Sequence, residues 1–291
     1  CPMQCPMQCP MQCPMQCPGV RHGPNRRHSK AGLQVIDMHF LDIGWHLLLL
    51  LVAGFAAGVI NSIAGGGSFL TLPALMLFGL DPKMANGTNR LAVLLSSASA
   101  VATFNKHGRL DRRLATRLAV PTLVGVPIGS LLAVHLPAES FQGVFGCLFL
   151  AMAGVIAMNP KRLTEQRDAA DMSPWKMFPV FLAIGIYVGF IQAGMGILLL
   201  VAMSWLNSGD LVASNAVKNC IGFIVTLAAT LVFAFYGLIS WGPGLIMAAG
   251  NLIGGVVGAK LALKRGNRLV YGFLLVVMVA TGIKLLAGTL F

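Results

Sequence analysis

Charge is the scarcest resource in this sequence. Only 10% of its 291 residues are Asp, Glu, Lys or Arg, against about a quarter in a soluble domain. Asp and Glu number nine, and none sits in the middle of a long apolar run. A proton relay built on intramembrane carboxylates is therefore not expected. Catalytic constellations are also missing. There is no HExxH, no P-loop Gly-Lys-Ser/Thr and no dense cluster of metal ligands beyond residue 37. Nothing here calls for a cofactor or an enzyme.

Varied cysteine spacing is absent too. Five of the seven cysteines (Cys1, Cys5, Cys9, Cys13 and Cys17) belong to one tract, "CPMQCPMQCPMQCPMQCP". A disulfide framework would place them irregularly around a small fold. Cys and Met are soft ligands that suit Cu(I), but a tandem tract of this kind reads first as a low-complexity tail. Through residue 37 the chain is Pro-rich and then basic, with no apolar core of a signal peptide. "MHFLDIGWHLLLLLVAGF", from Met38, has the look of a membrane-protein start. Translation is expected to begin at or near Met38, leaving 1–37 as an upstream extension. Cys147 and Cys220 are expected to pack as small apolar residues.

What the sequence does have is apolar length. Hydrophobic residues make up 56%, in stretches that approach the ~20 residues a helix needs to cross a bilayer. These runs are long and rich in Leu, Val, Ala and Gly, so they favour helices over a barrel. The expected class is an all-α polytopic membrane protein, with the lipid bilayer as its first partner. Net charge is +12, but the basic residues lie in short loops between apolar spans. That is the positive-inside pattern and not a nucleic-acid face.

The chain repeats itself. A shift of 129 lays "AGGG" (Ala64–Gly67) on "AGMG" (Ala193–Gly196), Asp81 on Asp210, Asn86 on Asn215 and Gly108 on Gly237. It also lays Gly125 and Gly129 on Gly254 and Gly258, while Gly54 and Gly58 meet Gly185 and Gly189 with a two-residue gap. Two copies of so long a period mean a duplicated half. Loops 106–117, 159–176 and 260–268 are basic and should be cytoplasmic, whereas 131–139 and 235–246 carry no Lys or Arg. Equivalent loops thus fall on opposite sides, so the halves are expected to be inverted.

Inversion needs an odd number of segments per half, so each glycine-broken stretch counts as two. The expected segments are 45–62, 66–80, 88–105, 114–135 and 140–158, then 177–193, 196–206, 217–236, 242–260 and 269–288. Depending on how the broken pairs are counted, that is 8–10 transmembrane segments. The domain plan is a tail (1–37), a first repeat (38–158), a cytoplasmic linker (159–176) and a second repeat (177–291). At 11 residues, 196–206 reaches only about 17 Å, half the hydrocarbon core.

Short glycine-interrupted pairs at matching places in inverted halves point to a transporter's binding site. Gly65, Gly66 and Gly67, with Ser68 as expected N-cap, would aim free N–H groups at an anion. Gly194 and Gly196 would do so from the other half. Asn61, Ser62 and Gln192 add polar side chains. The helices that follow open with "NGTNRL" (Asn86–Leu91) and "NAVKNC" (Asn215–Cys220), which supply Asn89, Arg90, Lys218 and Asn219. A cation inside a span either snorkels to the interface or serves function. Two at related positions favour anion attraction. Asp81 and Asp210 read as helix caps, and the Gly-x-x-x-Gly pairs as packing surfaces.

These residues carry a resemblance. "GFAAGVINSIAGGGSFLTLPALMLFGLDPKMANGTNRLAVLLSSASA" is similar to the TauE/SafE sulfite-exporter family of bacterial anion transporters. The family's Asn or Asp before "IAGGG", its "PAL" helix and its Ala-Thr-Asn-Lys-like opening match Asn61, Ala64–Gly67, Pro73–Leu75 and Gly87–Arg90. Arg90 stands where the family usually has Lys, and Gly87 where it has Ala. The second half keeps Gly194–Gly196 and Lys218. The resemblance covers about 38–291. It implies a small oxyanion substrate, such as sulfite, a sulfonate or an organic anion, and a bacterial inner-membrane location. A second copy of the chain stands as a candidate partner. The competing class is a non-transporting membrane assembly or anchoring subunit.

Overall fold

A computed structural model describes residues 27–148 (142, 145 and 146 apart), 174–204 and 211–264. The CPMQ tract, most of the linker and the expected last span lie outside these residues. The chain divides into two compact units, 1–43 and 44–291, and the second holds the helical bundle.

Every regular element among the described residues is helical. In chain order they are α1 (Arg27–Ile63), α2 (Ser68–Leu77), α3 (Pro82–Lys106), α4 (Arg112–His135) and α5, which begins at residue 138. Then come α6 (Pro174–Phe190), α7 (Met195–Ser204), α8 (Leu211–Phe235) and α9 (Trp241–Lys264). Among the described residues, three helices are long and apolar enough to cross a membrane: Arg112–His135, Val212–Phe235 and Trp241–Lys264. Helix α3 has the length, but it carries polar residues because it lies inside the bundle. Residues 85–93 are buried without a break, as are 214–219 of α8. Outside stand α4 and α9, which expose Val124, Ile128, Leu132, Leu245, Leu252 and Ile253. Such an apolar exterior is a surface for lipid.

Contacts fix which helix ends lie together. Phe104, Val212, Ala216, Ala259 and Ala262 share one cluster with Ile63, and Leu110 packs against it. The end of α3, the start of α8 and the ends of α9 and α1 therefore meet, beside Lys106, Arg112 and Lys264. At the opposite end, the Lys83 ammonium donates to the Val134 and Leu136 carbonyls at 2.7 and 2.6 Å. There too the Ser240 N–H donates to Thr88 Oγ1, and the rings of His135 and Tyr236 meet edge to face. The basic loops 106–117 and 260–264 thus gather at one end, and the loops without Lys or Arg at the other. Helices α3 and α8 run in opposite senses, and so do α4 and α9.

Glycines hold the layers. Gly250, Gly254 and Gly258 of α9 lie against the Leu51, Phe55 and Val59 carbonyls of α1, and Gly54 and Gly58 answer against Met247 and Asn251. In the same way Gly125 and Gly129 of α4 lie against Leu182 and Ile186 of α6, while Gly185 and Gly189 meet Thr122 and Val126. A Cβ at any of these positions would overlap backbone atoms, so close approach requires glycine. These pairs behave as the packing surfaces the sequence suggests. Each joins a helix from before the linker to one from after it.

Candidate functional site

Both glycine breaks are turns, and they touch. Helix α1 stops at Ile63, where the Ala64 and Gly65 N–H groups both donate to the Ile60 carbonyl. Gly65 then takes φ +86°, a left-handed conformation that favours glycine. Gly67 lies back against Ala57 and Asn61, so the chain doubles on itself. Helix α2 leads to Lys83 at the end opposite the basic loops. It is a re-entrant arm of ten residues, about 15 Å long. After α6 the turn repeats, with Gly194 at φ +74°. A Cβ on Gly65 or on Gly196 would overlap the other's Cα. Of the five left-handed glycines among the described residues, four fall in pairs 129 apart, 65 with 194 and 108 with 237, and Gly79 stands alone.

Helix α2 starts differently from expectation. Gly67, already helical at φ −57° and ψ −32°, is the N-cap and provides no side-chain bond. Ser68 is therefore inside the first turn and cannot fold back as a cap must. Its hydroxyl accepts from the Asn89 amide at 3.1 Å, and Thr71 Oγ1 donates to Asn89 Oδ1. Phe69 and Leu70 N–H groups turn back to the Gly66 and Gly67 carbonyls. Among the described residues, no backbone acceptor takes the N–H groups of Gly66, Gly67 or Ser68. Asp81, by contrast, caps α3 as expected, accepting from Lys83 and Met84 N–H groups.

The two cations sit deep. Arg90 is 0% and Lys218 2% exposed, which removes the snorkelling alternative. Each is fastened to the carbonyl end of a broken helix. Arg90 donates to the Val188 and Gly189 carbonyls at 3.2 and 2.6 Å, and its guanidinium lies 4.2 Å from the centre of the Phe233 ring. Asn86 donates to the Phe190 carbonyl at 2.8 Å. Across the molecule, Lys218 donates to the Asn61 carbonyl at 2.8 Å, while Asn215 and Asn219 donate to that of Ser62 at 2.7 and 3.2 Å. A helix C-terminus leaves four carbonyls without intrahelical partners and carries partial negative charge. Asn and cation donors answer both needs.

Among the described residues, Arg90 and Lys218 are the buried charged side chains, and no carboxylate is buried with them. Polar atoms also lack partners. Ser62 Oγ, Asn86 Oδ1, Arg90 Nε and Gln192 Oε1 are buried with no hydrogen bond. Gln192 donates to Thr226 and Asn61 to Ser96. Of the sequence candidates, Asn61, Ser62, Gly67, Lys218 and Asn219 gather at the α1 end, Ser68 pairs with Asn89, and Gly65 meets Gly196. Arg90 attaches to the other helix end. Sequence reasoning did not place Asn86 and Asn215 in the site, nor Thr71 or Phe233. The signal was present as the i, i+4 pairs Asn86/Arg90 and Asn215/Asn219, which put two donors on one helix face. No trio of His, Cys, Asp or Glu able to hold a metal occurs among the described residues.

Comparison with known proteins places the chain among membrane transporters. The family model for the sulfite exporter TauE/SafE matches residues 50–285. A probable membrane transporter protein, ORF9, of Sinorhizobium sp is 30% identical over 249 residues, covering 84% of this chain and 95% of its own. One from Haemophilus influenzae is 30% identical over 79% of this chain and 91% of its own. The Escherichia coli K12 probable membrane transporter protein YfcA is 28% identical over 82% and 88%.

Proposed function

We propose that this chain, which belongs to the sulfite exporter TauE/SafE family, is a secondary carrier or facilitator for a small anion: sulfite, a sulfonate or a related organic anion. Family and relatives mark it as a membrane transporter and not an enzyme. One observation carries the anion reading. Among the described residues, the interior holds two cations and no carboxylate, beside a helix start whose first amides have no backbone acceptor. Such an interior attracts negative charge at a cost that a bound anion relieves.

In this reading the two halves are inverted repeats. The opposite senses of α3 and α8, and of α4 and α9, support it. So do the left-handed glycines spaced by 129. The basic end faces the cytoplasm of a bacterial inner membrane. An inside-negative potential then favours outward anion movement by about 2.3 kcal/mol per charge per 100 mV. Access alternates between the ends. Since α1 is seated on α9 and α6 on α4 through backbone contacts, the halves are interleaved. A rigid rotation of one against the other would tear both seams. The re-entrant α2 and α7, hinged at Gly65 and Gly194, are left as the moving parts.

A thermal-shift panel on purified protein tests the reading. Sulfite, sulfate, thiosulfate, taurine, sulfoacetate and small carboxylates are compared with chloride at equal ionic strength. A carrier is stabilised by its substrate as RT ln(1 + [L]/Kd). An assembly or anchoring subunit shows one unfolding temperature throughout.

A further inference from the structure

We propose that the exposed face of α4 is a docking surface for an anionic phospholipid: Arg113 and Arg117 take the headgroup phosphate, and the apolar stripe that continues from them takes an acyl chain. The surface lies on the outside of the bundle, apart from the interior cations, and does not depend on what the carrier moves.

Helix geometry makes the stripe. Residues three or four apart share one face of a helix. Arg113, Arg117, Val120, Val124, Ile128 and Leu131 follow one another at those steps, and all six are exposed. The opposite face, with Ala115, Leu118, Ala119 and Val126, is buried in the bundle. One exterior line therefore passes from charge to hydrocarbon without a polar interruption. At the rise of an α-helix, Ile128 lies about 17 Å beyond Arg117. That is close to half of a ~30 Å hydrocarbon core, the depth one leaflet's acyl chain must fill. The two guanidinium groups then stand at headgroup level, at the basic end of the molecule.

Both arginines are available. Among the described residues, neither Arg113 nor Arg117 has an ion pair or a side-chain hydrogen bond. Their polar neighbours are engaged elsewhere. Asp111 caps α4, accepting from the Leu114 N–H. Arg112 turns to the end of α3 and donates to Asn105 Oδ1 at 3.0 Å. The Thr116 hydroxyl turns back to the Arg112 and Arg113 carbonyls. Guanidinium groups one turn apart suit a phosphate, because each offers a planar fork of N–H donors. A zwitterionic headgroup carries its own ammonium beside the phosphate and gives the pair no net charge to attract.

The molecule contains its own control. On α9, Lys260 and Lys264 are also exposed, one turn apart and at the same end, and they continue from exposed Leu252 and Ile253. They supply equal charge without the fork. A diffuse attraction of the membrane surface for the basic end would use both pairs alike, whereas a phosphate site uses the arginines.

The test titrates phosphatidylglycerol or phosphatidylcholine, in mixed detergent micelles, into the purified full chain and follows unfolding temperature. Phosphatidylglycerol is expected to raise the Tm of wild type, and phosphatidylcholine to leave it unchanged. In Arg113→Gln/Arg117→Gln the amount of phosphatidylglycerol giving half the effect is expected to rise at least fivefold. Arg113→Lys/Arg117→Lys keeps the loop charge that orients the chain and is expected to need about threefold more, which keeps the test decisive if the Gln variant does not fold. Lys260→Gln/Lys264→Gln is expected to stay within about twofold of wild type. An unchanged response in the folded Arg113 and Arg117 variants, an equal loss in the lysine variant, or equal stabilisation by phosphatidylcholine would overturn the proposal. Stabilisation by soluble glycerol 3-phosphate that requires Arg113 and Arg117 would overturn the lipid as occupant.

Discussion

At the end of α6, three successive carbonyls, Val188, Gly189 and Phe190, are taken by Arg90 and Asn86, and an aromatic ring closes over the cation. At the end of α1, the Asn61 and Ser62 carbonyls are taken by Lys218, Asn215 and Asn219, and no ring contact to the ammonium is found among the described residues. The task is shared: to quiet the negative end of a helix that stops inside the bundle. The donors come from α3 at the end of α6 and from α8 at the end of α1. What differs within this frame is the grip. Arg90 holds two carbonyls under an aromatic ring, with its Nε–H left unpartnered, whereas Lys218 holds one carbonyl.

The largest break in that frame should come from the point where the turns meet. Gly65→Ala or Gly196→Ala drives a methyl into opposing backbone, and Gly65 adds left-handed strain. A loss of about 3 kcal/mol or more is expected, seen as loss of monodisperse protein on size exclusion. Gly79→Ala is the contrast. Its φ is +99° but nothing lies within 4 Å, so only strain of about 1 kcal/mol should appear. If the two behave alike, the breaks do not touch.

Next come the cations. Arg90→Met leaves the Val188 carbonyl without its side-chain donor and weakens the hold on Gly189, for about 2–4 kcal/mol, whereas Lys218→Met affects one, for about 1–2 kcal/mol. Equal drops in unfolding temperature would erase the distinction between the two-carbonyl and one-carbonyl grips. Smaller still, Asn86→Ala and Asn215→Ala should each cost about 1 kcal/mol. Their agreement measures how alike the frames are, and a clear divergence would break the equivalence. The smallest effect should be Asp81→Ala, which removes an exposed cap worth about 0.5–1 kcal/mol.

Much of this frame could be read in one dimension. The expected 88–105 and 114–135 fall within α3 and α4, and 242–260 within α9, because apolar length and loop charge are local properties. The expected 140–158 and 269–288 fall largely or wholly outside the described residues. The doubling-back at Gly65 was legible as a break, since three glycines interrupt an apolar run. That the breaks touch was not legible, because Gly65 and Gly196 are 131 residues apart and neither has a side chain to signal contact. Ser68 misled because a serine after glycines resembles a cap, and only backbone angles show that Gly67 is already helical. Arg90 and Lys218 were visible as misplaced charges. Their partners are backbone carbonyls of distant helices, which carry no sequence signature.

The central claim, that this is an anion carrier with a positively charged interior, is tested most directly by flux in proteoliposomes. Purified protein is reconstituted with sulfite inside, a potassium gradient sets the potential, and sulfite efflux is followed. The account predicts protein-dependent efflux that rises when the inside is negative, is inhibited by the anions that stabilise the protein, and falls sharply in Lys218→Gln. Efflux equal to that of empty liposomes for every anion of the panel, from protein shown to be folded, would contradict it.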